Sequence, residues 1–213
     1  MRPDFVPLGP AEVISERPFT DPVDTLQDLD VLQYMLLRLS QIVGPAQTIP
    51  ARPRPLVLFA QEPENRYHRI ALARLAPLRR NKNLHVVGFC GHKRPQADRR
   101  LVDAIDEQLI AQFMRFPYLL SYSTLQLDSG DCCNLVLFSK RQGLAHWAKG
   151  ETHAQAVALS PDYYRRIRLH NALLPEGLPA YQQLSLLYTK YIDYEGESTW
   201  AAVRGLPSPP DLT

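Results

Sequence analysis

Trp147 and His153 stand six residues apart, which on a continuous helix sets them about 120° apart around the axis. They are not strict neighbours on one face, and Gly150, between them, can bend the element. The pair suits one kind of chemistry: His153 as a base working near neutral pH, with Trp147 packing on a planar ligand. The plainer reading is a half-buried tryptophan and a surface histidine bonded to a carboxylate such as Glu151. A second cluster is Arg165-Arg166-Ile167-Arg168-Leu169-His170-Asn171. Arg166 and His170 are four apart and share a face if the segment is helical. With Arg168 they make a cationic set that suits a ligand's carboxylate, because guanidinium forks match that geometry. A solvated basic face is the bland alternative.

Three cysteines, Cys90, Cys132 and Cys133, are an odd set for a disulfide scaffold. Adjacent cysteines rarely bridge each other, so reduced thiols in a cytoplasmic protein are expected. Cys90-x-His92 together with Cys132-Cys133 offers soft ligands for zinc. The spacing matches no zinc module, however, and Cys132 and Cys133 point to opposite faces of a strand, so no metal is expected. Tyr118, Tyr122, Tyr188, Tyr191 and Tyr194 enrich the strand candidates in phenols, which either pack at sheet rims or line an aromatic pocket. No nucleophile elbow, zinc-protease helix or phosphate loop is present, which leaves hydrolase and NTPase readings without support.

Several elements must position these residues. A proline-rich arm over 1–22 leads into a helix over 23–43, capped by Asp21, opened by Pro22 and stopped by Gly44-Pro45. Residues 45–55 read as a linker, 56–60 as a short strand, and 66–78 as a helix with Ile70, Leu72, Leu75 and Leu78 inward. From residue 84 the expected order is a strand over 84–90, a helix over 98–116, and a hairpin of strands 119–127 and 134–139 turning at Asp128-Ser129-Gly130-Asp131. Helix follows over 144–159, a short helical turn over 160–169, and a last strand over 184–194. The order strand-helix-strand-strand-helix-strand predicts a ferredoxin-like α+β domain over 84–195, with 1–83 as an N-terminal arm, helix and strand and 196–213 as a tail. A doubly wound parallel sheet starting at residue 56 is the rival, weakened by the central hairpin and the missing glycine-rich loop.

The stretch Asn134-Leu135-Val136-Leu137-Phe138-Ser139, then His146-Trp147 and His153, then Tyr163-Tyr164-Arg165-Arg166-Ile167-Arg168-Leu169-His170, resembles the dimeric α/β-barrel superfamily. That superfamily includes antibiotic-biosynthesis-monooxygenase-like domains and haem-binding relatives. The resemblance covers about half the chain and rests on element order and a Trp-x5-His spacing. It implies a homodimer in which two sheets pack into a barrel, with a pocket between each sheet and its helices. It also implies a role for His153 as axial haem ligand or base, and for Arg166, Arg168 and His170 as holders of a haem propionate or a substrate's acidic group.

The bulk composition narrows the rest. Hydrophobic residues make up 45% and charged residues 22%, so a real core is expected. A net charge of +2 is too weak to argue for nucleic acid. No apolar run is long enough to span a bilayer, and the first residues hold no signal-like apolar stretch. The function expected is binding of a planar hydrophobic ligand, haem or an aromatic metabolite, with a monooxygenase reaction as its catalytic form. The alternative is a non-catalytic dimeric interaction protein that docks a partner on the helix over 23–43.

Overall fold

The Asp21 side chain accepts a hydrogen bond from the Val23 amide at 2.8 Å and Pro22 fills the first turn, the two local signals that start a helix here. The computed structural model describes residues 4–44, 54–63, 66–178 and 183–205. In it, α1 (Pro22–Ile42) lies across one face of a nine-stranded sheet. The strands are β1 (Val6–Pro7), β2 (Leu56–Gln61), β3 (Tyr67–Leu72), β4 (Leu84–Lys93), β5 (Leu119–Gln126), β6 (Cys132–Phe138), β7 (Tyr164–Leu174), β8 (Ser185–Asp193) and β9 (Trp200–Gly205). Their order across the sheet is β1-β9-β8-β7-β4-β6-β5-β3-β2. Only β1 and β9 pair in parallel; the other neighbours run antiparallel. The short α2 (Leu75–Arg80) joins β3 to β4, α3 (Arg99–Ala111) joins β4 to β5, and α4 (Gln142–Ala148) with α5 (Glu151–Tyr163) joins β6 to β7.

Alternation along each strand divides the residues between two faces. Leu32, Met35, Leu36 and Leu39 of α1 are buried against Ile70, Val86, Leu135 and Leu137, each burial worth roughly 1.5–3 kcal/mol. Helix and sheet approach so closely that a Cβ on Gly88 would sit 2.2 Å from Leu32 Cδ1. Farther along this face the N-terminal arm packs Leu8 and Phe19 on Tyr191 and Ala202. Arg204 ties the arm down by donating to the carbonyls of Gly9 (3.1 Å), Thr20 (2.8 Å) and Glu12. On the opposite face Leu109, Ile110 and Phe113 pack against Tyr122, Val136 and Phe138.

The ferredoxin-like domain with an N-terminal helical extension, assembled as a dimeric α/β barrel, is not what the chain forms. Nine strands make one mixed sheet with five α-helices among the described residues, and helices cover both faces. The physical reason lies in two segments. The 160–169 stretch continues α5 only to Tyr163 and then runs as β7, and the prefix contributes α1, which covers with its own leucines the face that a partner's sheet would need. The 66–78 stretch is likewise strand β3 followed by α2. Its Ile70 and Leu72 fit a period of two as well as a helical one. The linker expected over 45–55 lies, apart from residues 54 and 55, outside the described residues; in the tail expected over 196–213, Trp200–Gly205 forms β9 and the residues after Gly205 lie outside the described ones. No helix among the described residues is long and apolar enough to cross a membrane.

Cys90 and Cys133 are register partners on β4 and β6, with Cα atoms 4.4 Å apart, and they are joined as a disulfide. This departs from the expected set of three reduced thiols. Adjacent Cys132 does not join it, because successive side chains on β6 point to opposite faces.

Candidate functional site

Between the sheet and helices α3, α4 and α5 lies a cavity of about 480 Å³. Its floor comes from alternate residues of six strands. One row runs straight across the sheet by register: Arg69 on β3, Thr124 on β5, Asn134 on β6, Phe89 on β4, Leu169 on β7 and Lys190 on β8. All six line the cavity. The next row, Tyr122, Val136, Val87, Asn171 and Tyr188, mixes apolar side chains with two phenols and one amide.

Trp147 and His153 both line this cavity. Their ring centroids lie 5.4 Å apart at 59°. The helix does not run through them: α4 ends at Ala148 and α5 begins at Glu151 with Gly150 as its cap. A Cβ on Gly150 would lie 3.0 Å from Phe116 Cζ, so the glycine permits the tight break that brings the rings together. Trp147 is held by Phe116 at 5.1 Å and Phe113 at 5.7 Å, edge to face, a favourable arrangement for aromatic quadrupoles. Gln112 Nε2 donates to Thr152 Oγ1 at 2.9 Å and fastens the start of α5 to the end of α3.

Among the residues that line the cavity, three polar atoms are buried without a hydrogen-bond partner: His153 Nδ1, Asn134 Oδ1 and Arg69 Nε. The rest of the Arg69 guanidinium is engaged, donating to Asp106 and, at 3.3 Å, to Thr124 Oγ1. Burial without a nearby carboxylate lowers the His153 pKa, so its imidazole is neutral at pH 7 and able to accept a proton. Burial raises the Tyr122 phenol to about 12, which keeps it a neutral donor. Gly91 lets the Tyr164 ring lie against the strand, since a Cβ there would be 2.4 Å from Tyr164 Cε1.

The arginine-histidine cluster lies elsewhere. Arg168 and His170 alternate with the cavity residues Leu169 and Asn171, so they face α1. Arg168 clasps Asp28 through Nε at 2.6 Å and Nη2 at 3.0 Å, and reaches Asp24 at 3.0 Å. His170 Nε2 meets Asp28 Oδ2 at 2.9 Å, while its Nδ1 meets Thr189 Oγ1 at 3.0 Å. Burial alone would raise the Asp28 carboxyl, but hydrogen bonds from His170 and Arg168 and the charge of Arg168 outweigh it and hold the pKa below its usual value. Arg166 pairs with Glu195 at 2.6 Å and lays its guanidinium over Phe19, 5.3 Å from the ring centroid. The structure therefore brings Trp147 and His153 together and leaves Arg166, Arg168 and His170 on the far side of the sheet. His92, which the sequence placed near the cysteines, bonds Asp131 at 3.1 Å instead.

Sequence reasoning missed Arg69 and Asn134. Arg69 sat in a stretch read as helix. Asn134 carried a usable signal: asparagine is disfavoured in strands, yet it shares a face with Val136 and Phe138, where an apolar residue would be expected.

Compared with protein-family models, curated proteins and solved structures, the chain matches none.

Proposed function

We propose that the cavity binds a small aromatic molecule carrying one hydrogen-bonding head group. The observation that supports this is the trio of buried, unpartnered atoms on Arg69, Asn134 and His153 in an aromatic enclosure. A buried polar group without a partner costs about 1–3 kcal/mol, and a ligand that bonds all three removes that cost. The flat body of the ligand packs on Trp147 and Phe89, and the head meets the donor of Arg69 and the acceptor of Asn134.

The catalytic form of this reading is a cofactor-independent monooxygenase. His153, neutral and desolvated, takes a proton from an acidified CH2 of the ligand, and the carbanion passes an electron to O2. The CH2 becomes C=O, with one oxygen atom retained and the other leaving as water. The haem version loses its propionate holders, because Arg166, Arg168 and His170 are ion-paired on the other face. The interaction-protein reading has one observation in its favour, the exposure of Val23 and Leu26 on α1, while the remaining apolar residues of that helix are occupied by the sheet.

The test is a fluorescence titration on a Trp200→Phe background, where Trp147 is the remaining indole, with a panel of naphthols, anthrones and flavonols. Saturable quenching by a member of the panel, weakened in Asn134→Leu and His153→Gln, supports the reading, and oxygen uptake with the bound member tests the reaction. Absence of quenching across the panel would overturn it. A Soret-band change with haem that is lost in His153→Ala would restore the haem version.

A further inference from the structure

On the α1 face, away from the cavity, four potential metal donors converge. Asp28, Cys90 and His170 are all buried, and one donor atom of each lies within 4.8 Å of the others. They come from three elements: Asp28 from α1, Cys90 from β4 and His170 from β7, whose register sets His170 opposite Gly88 and two residues from the partner of Cys90. The disulfide adds a fourth donor, because Cys133 Sγ is bonded to Cys90 Sγ. We propose that, when this disulfide is reduced, Cys90, Cys133, His170 and Asp28 form a closed tetrahedral site for zinc.

The chemistry balances in two steps. A dithiol reductant gives two electrons and two protons to the Cys90–Cys133 bond and becomes a disulfide itself. The two thiols then release their protons to solvent as they bind Zn2+. Zn–S bonds of about 2.3 Å and Zn–N or Zn–O bonds of about 2.0 Å give tetrahedral edges of roughly 3.3–3.8 Å. The donors of Asp28, Cys90 and His170, all within 4.8 Å of one another, shift by at most about an ångström, while the two sulfurs, once unbonded, move apart to about 3.8 Å. Two thiolates with one imidazole favour zinc over calcium or magnesium.

The surroundings are arranged as an outer shell. His170 Nδ1 already bonds Thr189 Oγ1, which orients the ring and leaves Nε2 as the ligating atom, the common pattern for a zinc histidine. Nε2 exchanges its bond to Asp28 for the metal, and Asp28 stays gripped by both forks of Arg168. Two thiolates and the Asp28 carboxylate balance the dication together with the Arg168 cation, so the buried site is neutral with zinc, as it is with the disulfide. Either state, a covalent bond or a metal, fastens β4 to β6, and the metal state fastens α1 and β7 as well.

The experiment is a titration of full-length protein with Co2+ alone, in oxidised and fully reduced samples, with folding followed by circular dichroism. One cobalt per chain in the reduced sample, with tetrahedral ligand-field bands and thiolate charge transfer, and none in the oxidised sample, is the expected result. Cys132→Ser leaves it unchanged, because Cys132 lies on the cavity face. Cys133→Ser halves the charge-transfer intensity, and Thr189→Val weakens binding by about 10–100-fold. If the reduced apoprotein unfolds, Co2+ must restore its circular dichroism. No stoichiometric uptake by the reduced protein, equal uptake by the oxidised protein, or an unchanged spectrum in Cys133→Ser would each overturn the proposal.

Discussion

The two faces of this sheet are made from alternate residues of the same strands, yet one is filled and the other hollow. On the α1 face the charges come in sets: Asp28 meets Arg168 and His170, and Glu62 meets Arg38 at 3.1 Å and His68 at 2.7 Å. On the face covered by α3, α4 and α5, Arg69, Asn134 and His153 each keep an atom unpartnered beside a 480 Å³ cavity. The α1 face also keeps single buried atoms unpartnered, His68 Nε2 and Arg166 Nε among them, so the difference is one of space: on the other face the unpartnered atoms border a cavity that a ligand can enter.

The largest effect that can test this contrast is on the α1 face. Asp28→Ala strands the buried Arg168 guanidinium and should lower unfolding free energy by about 3–5 kcal/mol, read from urea denaturation. Replacing both residues, Asp28→Leu with Arg168→Met, should recover most of the loss, because the buried ion pair gives little net stability over apolar packing. A double variant as unstable as Asp28→Ala would show that the network does more than balance charge. Next in size is Gly88→Ala, which pushes a methyl into Leu32 and should cost about 1–3 kcal/mol. Adding Leu32→Ala should make the two changes less than additive, and strict additivity would refute the contact.

On the cavity face the signs reverse. Asn134→Leu removes an unsatisfied buried acceptor, so stability should hold or rise by up to about 1 kcal/mol, while affinity for the bound aromatic falls about tenfold or more, equivalent to about 1.4 kcal/mol. A clear loss of stability would mean that the carboxamide is structural. The smallest effect is in the pH profile. Burial lowers the folded pKa of His153, so the unfolded chain takes up that proton more readily. Its contribution to stability is full above the unfolded value of about 6.5 and is lost as pH falls toward the folded value. His68 on the other face shifts in the same direction, by burial. Asp28, with its lowered pKa, contributes stability that is full above about 3.9 and is lost only as pH falls through its folded value. Stability should therefore decline in two stages, and His153→Gln should lessen the first, which His68 and His85 share through their own lowered values, without touching the second.

The sequence made some of this legible and hid the rest for identifiable reasons. The first helix, the β5–β6 hairpin, β4 and the core of β8 follow from local signals: an Asp-Pro cap, a Asp-Ser-Gly-Asp turn and runs of β-branched residues. β7 was hidden because Arg165, Arg166, Arg168 and His170 look like a solvated helical face. They are tolerated in a strand because Asp28 and Asp24, from a helix 140 or so residues earlier, neutralise Arg168 and because Glu195 neutralises Arg166. β9 and the two-residue β1 pair at the sheet edge; β1 is too short to announce itself, and β9 falls within the stretch read as a tail. Of the candidate site, Trp147 and His153 carried a readable spacing. Arg69 and Asn134 became visible only once the strands were in register, since no local pattern tells an asparagine in a strand that its face will be hollow.

The pairing of β1 with β9, and of Asp28 with Arg168, has a consequence for how the chain is born. At about 5–20 residues per second of synthesis, α1 leaves the ribosome roughly 7–28 s before the β7 arginine that neutralises its aspartate. For most of that interval the helix shows three leucines and a methionine whose partners on β3, β4 and β6 are not yet all made. The nascent chain thus spends its youth with its stickiest segment exposed, and the last strand to emerge is the one that finally closes over the first.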